Sequence, residues 1–180
     1  MTTQTNNSIR AYKGIVPVIA KSAYVDPAAV VIGAVALGED SSIWPLVVIR
    51  ADVNTVRIGN RSNVQDGSVI HESRKRSNNP EGYPVIIGDD VTIGHKVMLH
   101  GCTIGNRVLV GMGTIILDGA VVEDDVIIGA GSLVTSGKTL LSGYLYMGSP
   151  AQQVRALRDD EMSYFITSAN NYIRLKNDYS

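Results

Sequence analysis

Aliphatic residues recur every six positions along most of this chain. Val25, Val31, Leu37, Ile43 and Ile49 make the first run. The register slips near Thr55, resumes at Ile58, Val64 and Ile70, and after a break returns at Ile87, Ile93 and Leu99. It shortens by one residue across Gly101 and Cys102, then continues through Ile104, Val110, Ile116, Val122, Ile128 and Val134, after which the pattern is expected to end. Glycine often follows the aliphatic, as at Gly59, Gly88, Gly94 and Gly105. Four residues after the aliphatic stands a small or β-branched side chain, such as Ser62, Ser68, Val91 or Thr103.

An amphipathic helix repeats at about 3.6 residues and a strand at about 2, so neither accounts for this period. A prism with three short strands per turn does. The aliphatic points inward, the small residue fills the interior near a corner, and Gly, Asn or Asp permits the turn. This is the hexapeptide signature of a parallel β-helix, with coils of about 18 residues. A sandwich of short strands with glycine turns would give irregular spacing. With 18 glycines and a single Phe and Trp, the core is expected to be thin and aliphatic.

Residues 74–84 break the period with polar and turn-forming side chains and read as a loop thrown out from one corner. Residues 15–20 read as a short leading strand. Downstream, Gly148-Ser149-Pro150 makes a turn and Asp159-Asp160 can cap a helix start. Met162, Phe165, Ile166, Ala169, Tyr172 and Ile173 then follow helical spacing, which predicts an amphipathic helix over residues 159–176. The whole chain, residues 1–180, reads as one domain: an all-β solenoid over about 15–147 and a C-terminal α-helix.

The charge balance excludes some partners. A net charge of −1 and a pI near 6.3 offer no electrostatic basis for binding nucleic acid. Arg74-Lys75-Arg76 reads as a solvated loop tip. No apolar run reaches membrane-spanning length, and the polar start lacks the layout of a signal peptide. One cysteine, Cys102, leaves no internal disulfide framework and reads as a small buried filler at the register slip. A soluble cytoplasmic protein is expected.

The chemistry concentrates in the three histidines, His71, His95 and His100. His71 follows the inward Ile70 and His100 the inward Leu99, so both hold one slot of the hexad. If the loop replaces no hexad, they stack one coil apart, about 4.8 Å. His95 sits two places after Ile93, on the previous face. Six extended residues span up to about 20 Å, far more than a metal–nitrogen bond of about 2.0–2.1 Å. His95 therefore cannot join the others within one chain. A closed homotrimer with heterologous contacts would bring His95 of one subunit to His71 and His100 of the next. Three neutral imidazoles plus water describe an open catalytic zinc site, at which the water's pKa falls to about 7.

Polar residues stand nearby: Arg50 and Asp52, then Gln65 and Asp66. Asp66 holds the slot of His95 one coil earlier. Arg50 with Asp66 can form an intersubunit ion pair, and Gln65 can orient the water or a ligand histidine. A solvated corner side chain is the competing reading for each.

These residues together resemble the gamma-class carbonic anhydrase family, in particular its short bacterial members. The resemblance runs from about residue 15 to the helix and rests on Arg50-x-Asp52, Gln65-Asp66, His71 and His95-x-x-x-x-His100. It implies a left-handed parallel β-helix, a homotrimer with interfacial Zn2+ (or Fe2+ or Co2+, which also suit imidazole), and reversible hydration of carbon dioxide to bicarbonate by metal-bound hydroxide. His71, His95 and His100 would be the metal ligands. Gln65 would hold water or bicarbonate, and Arg50, Asp52 and Asp66 would make interface and active-site contacts. The segment Ser168-Ala169-Asn170-Asn171-Tyr172 looks like the family's stretch that lends a polar side chain, here Tyr172. The family's founding member carries glutamates, proposed to shuttle protons, where this chain has Val53 and Arg74; Glu72 and Glu81 are the nearby carboxylates. Two other functions fit a hexapeptide coil: an acyltransferase with a histidine base and no metal, and a non-catalytic metal-binding trimeric scaffold.

Overall fold

The computed structural model describes residues 8–179. The six-residue period is realised as a left-handed parallel β-helix with three faces. Strand pairing is one coil to the next throughout: Ile70 lies beside Leu99 and Leu99 beside Ile116 on the first face. Ile87, Ile104 and Val122 align on the second, and Val64, Ile93 and Val110 on the third. Each of these aliphatics is buried. Among the described residues the inward cluster is mainly Val, Ile and Leu with a few Ala, and its one buried aromatic is Tyr146 near the end.

The small residue of each hexad does more than fill space. Ser62 Oγ donates to the carbonyl of Gly88 (2.8 Å) and accepts from Val91 N–H (3.0 Å). Ser68 does the same one face on, with Gly94 and Val97. The hydroxyl thus satisfies corner backbone groups that no strand ladder reaches. The glycine after the aliphatic is also explained differently from the expectation. A Cβ on Gly88 would lie 2.6 Å from the carbonyl oxygen of Gly105, so the next coil passes too close for any side chain. The left-handed turn residue at this corner stands two positions later and is charged: Arg61, Asp90, Arg107 and Asp125, with φ from 53° to 58°.

The period does not end at Val134. Leu140 pairs with Val122 and Tyr146 with Ile128, and both are buried, so the core runs two hexads further. Tyr144–Gly148 then pairs antiparallel with Ala151–Ala156, which covers the last edge of the third face. The leading strand is present as Val18–Ile19, beside Ala36 and Leu37.

The helix spans Asp159–Asp178. Arg158 occupies the cap position, where its N–H donates to Glu161 Oε2 at 2.9 Å; Asp159 and Asp160 lie in the first turn instead of capping it. The helix rests on the third face. Phe165, Ser168 and Ala169 are buried there, while Met162 and Ile166 are exposed, so the predicted apolar stripe is only partly the packed one. The reason is the polar outer surface it meets: Ser168 Oγ bonds Thr92 Oγ1 at 2.8 Å and Arg61 donates to Asn170 Oδ1 at 3.1 Å. No helix among the described residues is long and apolar enough to cross a membrane.

Candidate metal centre

Two strands of the first face, Val69–His71 and Met98–His100, end at one corner. They pair in register with His71 opposite His100, because the loop at residues 74–84 adds no coil. The rings meet tilted, with centroids 5.2 Å apart, and His71 Nδ1 lies 3.2 Å from His100 Nε2.

The outward nitrogens are held by carboxylates. His71 Nε2 lies 3.2 Å from Asp52 Oδ1 and His100 Nδ1 lies 2.6 Å from Asp118 Oδ1. An ionised carboxylate can only accept, so each imidazole carries its proton on that side. The two nitrogens that face each other are then both bare lone pairs. That arrangement is repulsive unless a cation sits between them. Their 3.2 Å separation is close to the edge of a tetrahedron with metal–nitrogen bonds of about 2.0–2.1 Å, which is about 3.3 Å. The pair therefore fits a metal ion.

His95 lies at a different corner. Its Nδ1 is 3.0 Å from Asp66 Oδ2, its side chain is half exposed, and among the described residues it contacts neither other histidine. By the same argument the carboxylate holds the proton on Nδ1 and leaves Nε2 as the acceptor. Lys96, just after it, holds φ +56°, a conformation that the neighbouring coils assign to Gly67 and Gly113.

Arg50 does not reach Asp66 within the chain. Its Nη1 pairs with Asp52 Oδ2 at 2.6 Å. Burial opposes ionisation of Asp52, but the hydrogen bonds from Arg50 and His71 outweigh it and hold the carboxyl below its ordinary range. Gln65 is buried and donates to Asn63 Oδ1 (3.1 Å), away from the histidine pair of its own chain. It lines a groove of about 200 Å³ together with Tyr164 and Tyr172. Tyr172 stands edge-on to Trp44, and burial followed by the nearby Asp66 charge pushes its phenol up. Burial pushes the Cys102 thiol up to about 12, so it is the inert filler expected.

Asp118 is the residue that sequence reading missed. It stands two places after Ile116, one coil beyond His100, and its Oδ2 also accepts from Ser73 Oγ at 2.9 Å. Its slot was readable, but aspartates crowd the corners of this coil for purely structural ends, as Asp124 does in accepting from Asn106 N–H. Asp52, His71 and Glu72 also bring one ligand-type atom each within 4.8 Å of one another. There His71 Nε2 already meets Asp52 Oδ1, while its Nδ1 faces His100.

Comparison with known proteins places this geometry. A family model described as bacterial transferase hexapeptide (six repeats) matches residues 101–136. Protein YrdA of Escherichia coli (strain K12) is 60% identical over 171 residues, 95% of this chain and 93% of that protein. A carbonic anhydrase of Geobacillus kaustophilus is 46% identical over 154 residues, 86% of this chain and 81% of that one. The crystal structure of a hexapeptide transferase family protein from Anaplasma phagocytophilum matches with a TM-score of 0.88 at 39% identity, covering 94% of this chain and 96% of that one. Coil and corner together define a hexapeptide-repeat β-helix protein with a histidine-bearing edge. Within that class the chain belongs to the gamma-class carbonic anhydrase family, and membership implies a metal cofactor.

Proposed function

We propose that this chain is a metal-dependent carbonic anhydrase that works as a ring of three, with His71 and His100 of one subunit and His95 of the next holding Zn2+, or alternatively Fe2+ or Co2+. One observation carries the reading: two imidazole nitrogens face each other at 3.2 Å while a carboxylate meets the other side of each ring. The ring of chains is supported by an apolar stripe on the outer side of the first face. Val48, Val69, Met98, Ile115 and Leu133 align there coil over coil, beside the histidine corner, and Met98 and Ile115 are exposed in the single chain.

A bound divalent ion supplies Lewis acidity that brings a water's pKa to about 7. The chain supplies the rest. Asp52, Asp118 and Asp66 keep the three imidazoles in the ligating tautomer. Arg50 offers the remaining N–H groups of a half-exposed guanidinium to a bicarbonate oxygen. Gln65 and Tyr172, on the groove next to the His95 corner, present an amide and a phenol to the site of the adjoining subunit. Proton export is the weak link. Val53 and Arg74 carry no acid, Glu72 is sealed in the interior, and Glu81 sits on an exposed loop beside Lys75. Hydration is therefore slow, and limited by proton transfer.

Protein purified without air should contain about one ion per chain, and the same sample should hydrate carbon dioxide until a chelator strips it. A fully loaded ring with no hydration at any pH would reduce it to a scaffold. The hexapeptide transferase name of one matched structure keeps an acyltransferase as the second reading; acyl transfer that survives chelation would favour it. Asp118→Ala should weaken Zn2+ binding about 10–100-fold in a competition titration. Its fold should survive, since about a third of the Asp118 side chain is exposed.

A further inference from the structure

Glu72 is fully buried and directly follows His71. Its Oε1 accepts two backbone N–H groups, from Val53 at 2.7 Å and from Asn54 at 2.9 Å. Its Oε2 has no hydrogen-bond partner among the described residues. A buried carboxylate with an unsatisfied oxygen is costly. Such local violations concentrate where function demands them.

The place of the two N–H groups says what the demand is. Between the inward residues Ile49 and Ile58 the coil overruns its hexad, and the pairing on one side jumps from Gly33–Ala51 to Val35–Val56. On the other side it jumps from Arg50–His71 to Val56–Val85. Residues 52–55, within the strand Val48–Ile58, therefore have no register partner on either neighbouring strand, and their backbone needs another anchor. Glu72 is that anchor. Asn54 extends it, donating from Nδ2 to the carbonyls of Ser73 (3.1 Å) and Glu81 (2.8 Å). Asp52, one residue before the anchored pair, is the group that meets His71 Nε2.

We propose that Glu72 is a positioning residue: by clamping the backbone of Val53 and Asn54 it holds Asp52 against His71 and so keeps the bare Nδ1 of that ring aimed at His100. A charged acceptor suits the task, because one oxygen must hold two donors at short range without water. The consequence for metal binding rests on the proposed role of His71 as a ligand; the consequence for the ring itself does not.

The test separates the two. Imidazole nitrogen spectra of the metal-free protein near pH 8, above the ordinary imidazole pKa of about 6.5, should show His71 as a single tautomer protonated at Nε2. Finding the proton on Nδ1 in the unaltered protein overturns the proposal without any variant. In Glu72→Leu the His71 signal should become a mixture of tautomers while that of His95 stays unchanged. Zn2+ affinity should fall about tenfold in Glu72→Leu, and Glu72→Gln, which keeps the accepting oxygen, should stay within about twofold of the original. A Glu72→Leu protein that melts earlier but keeps the His71 tautomer and the Zn2+ affinity would make Glu72 merely structural. Should the unaltered protein bind no Zn2+, the ligand role of His71 fails, and the tautomer result still decides the clamp.

Discussion

With His95 replaced by alanine, the protein should keep its coil and lose its metal. The His95 side chain is half exposed and, among the described residues, hydrogen-bonds with Asp66 alone, so the circular dichroism spectrum and melting temperature should barely move. Metal affinity should fall by more than the roughly 100-fold that separates a ligand from its outer partners. His100→Ala should do the same for the opposite reason, since it removes half of the facing pair. Co-expression of the two variants is the sharper measurement. In a closed ring that mixes them, one of the interfaces joins the intact His71–His100 corner of one chain to the intact His95 of the other, so about one site in three should reappear. If metal content stays at zero in the mixture, or if His95→Ala alone keeps a full complement, the sites are not shared between chains.

The second large effect concerns stability. Leu99 is fully buried between Ile70 and Ile116 and immediately precedes His100. Leu99→Ala should cost about 2–5 kcal/mol in a urea melt, the range for a large aliphatic removed from a close-packed core. Each coil contributes only about one inward aliphatic per face, so neighbouring coils can do little to close the gap. Met98→Ala, one residue away on the outer side, should cost the single chain little and weaken association of the ring instead. Urea midpoints at two protein concentrations would separate these outcomes: Leu99→Ala lowers both, and Met98→Ala lowers chiefly the dilute one.

The stacking of His71 on His100 was legible in advance, since both follow an inward aliphatic and the loop between them adds no hexad. The shared slot of Asp66 and His95 one coil apart was also legible, although the ion pair expected for Asp66 was with Arg50 and the contact found within the chain is with His95. Leu140 and Tyr146 were equally readable, as they stand six and twelve residues past Val134, and should have extended the coil. The partners of Arg50 and Gln65 were not readable, because a corner side chain can turn to either coil or outward. Asp118 and Glu72 were hidden for different reasons. Asp118 sits in a readable slot one coil past His100 but looks like the other corner aspartates, whereas the contacts of Glu72 fall on the overrun at residues 52–55, where the period is broken.

The linear order of residues alone determined the coil, its inward column and the coil-to-coil alignment of the histidines, because a fixed period repeats each environment and leaves a side chain only one face to occupy. Tertiary structure alone decided which carboxylate faces which imidazole nitrogen, and therefore where the bare lone pairs point. That choice is made by segments far apart in the chain that meet where the repeat fails, and the approach of two such segments is set by how they pack, which no local spacing encodes.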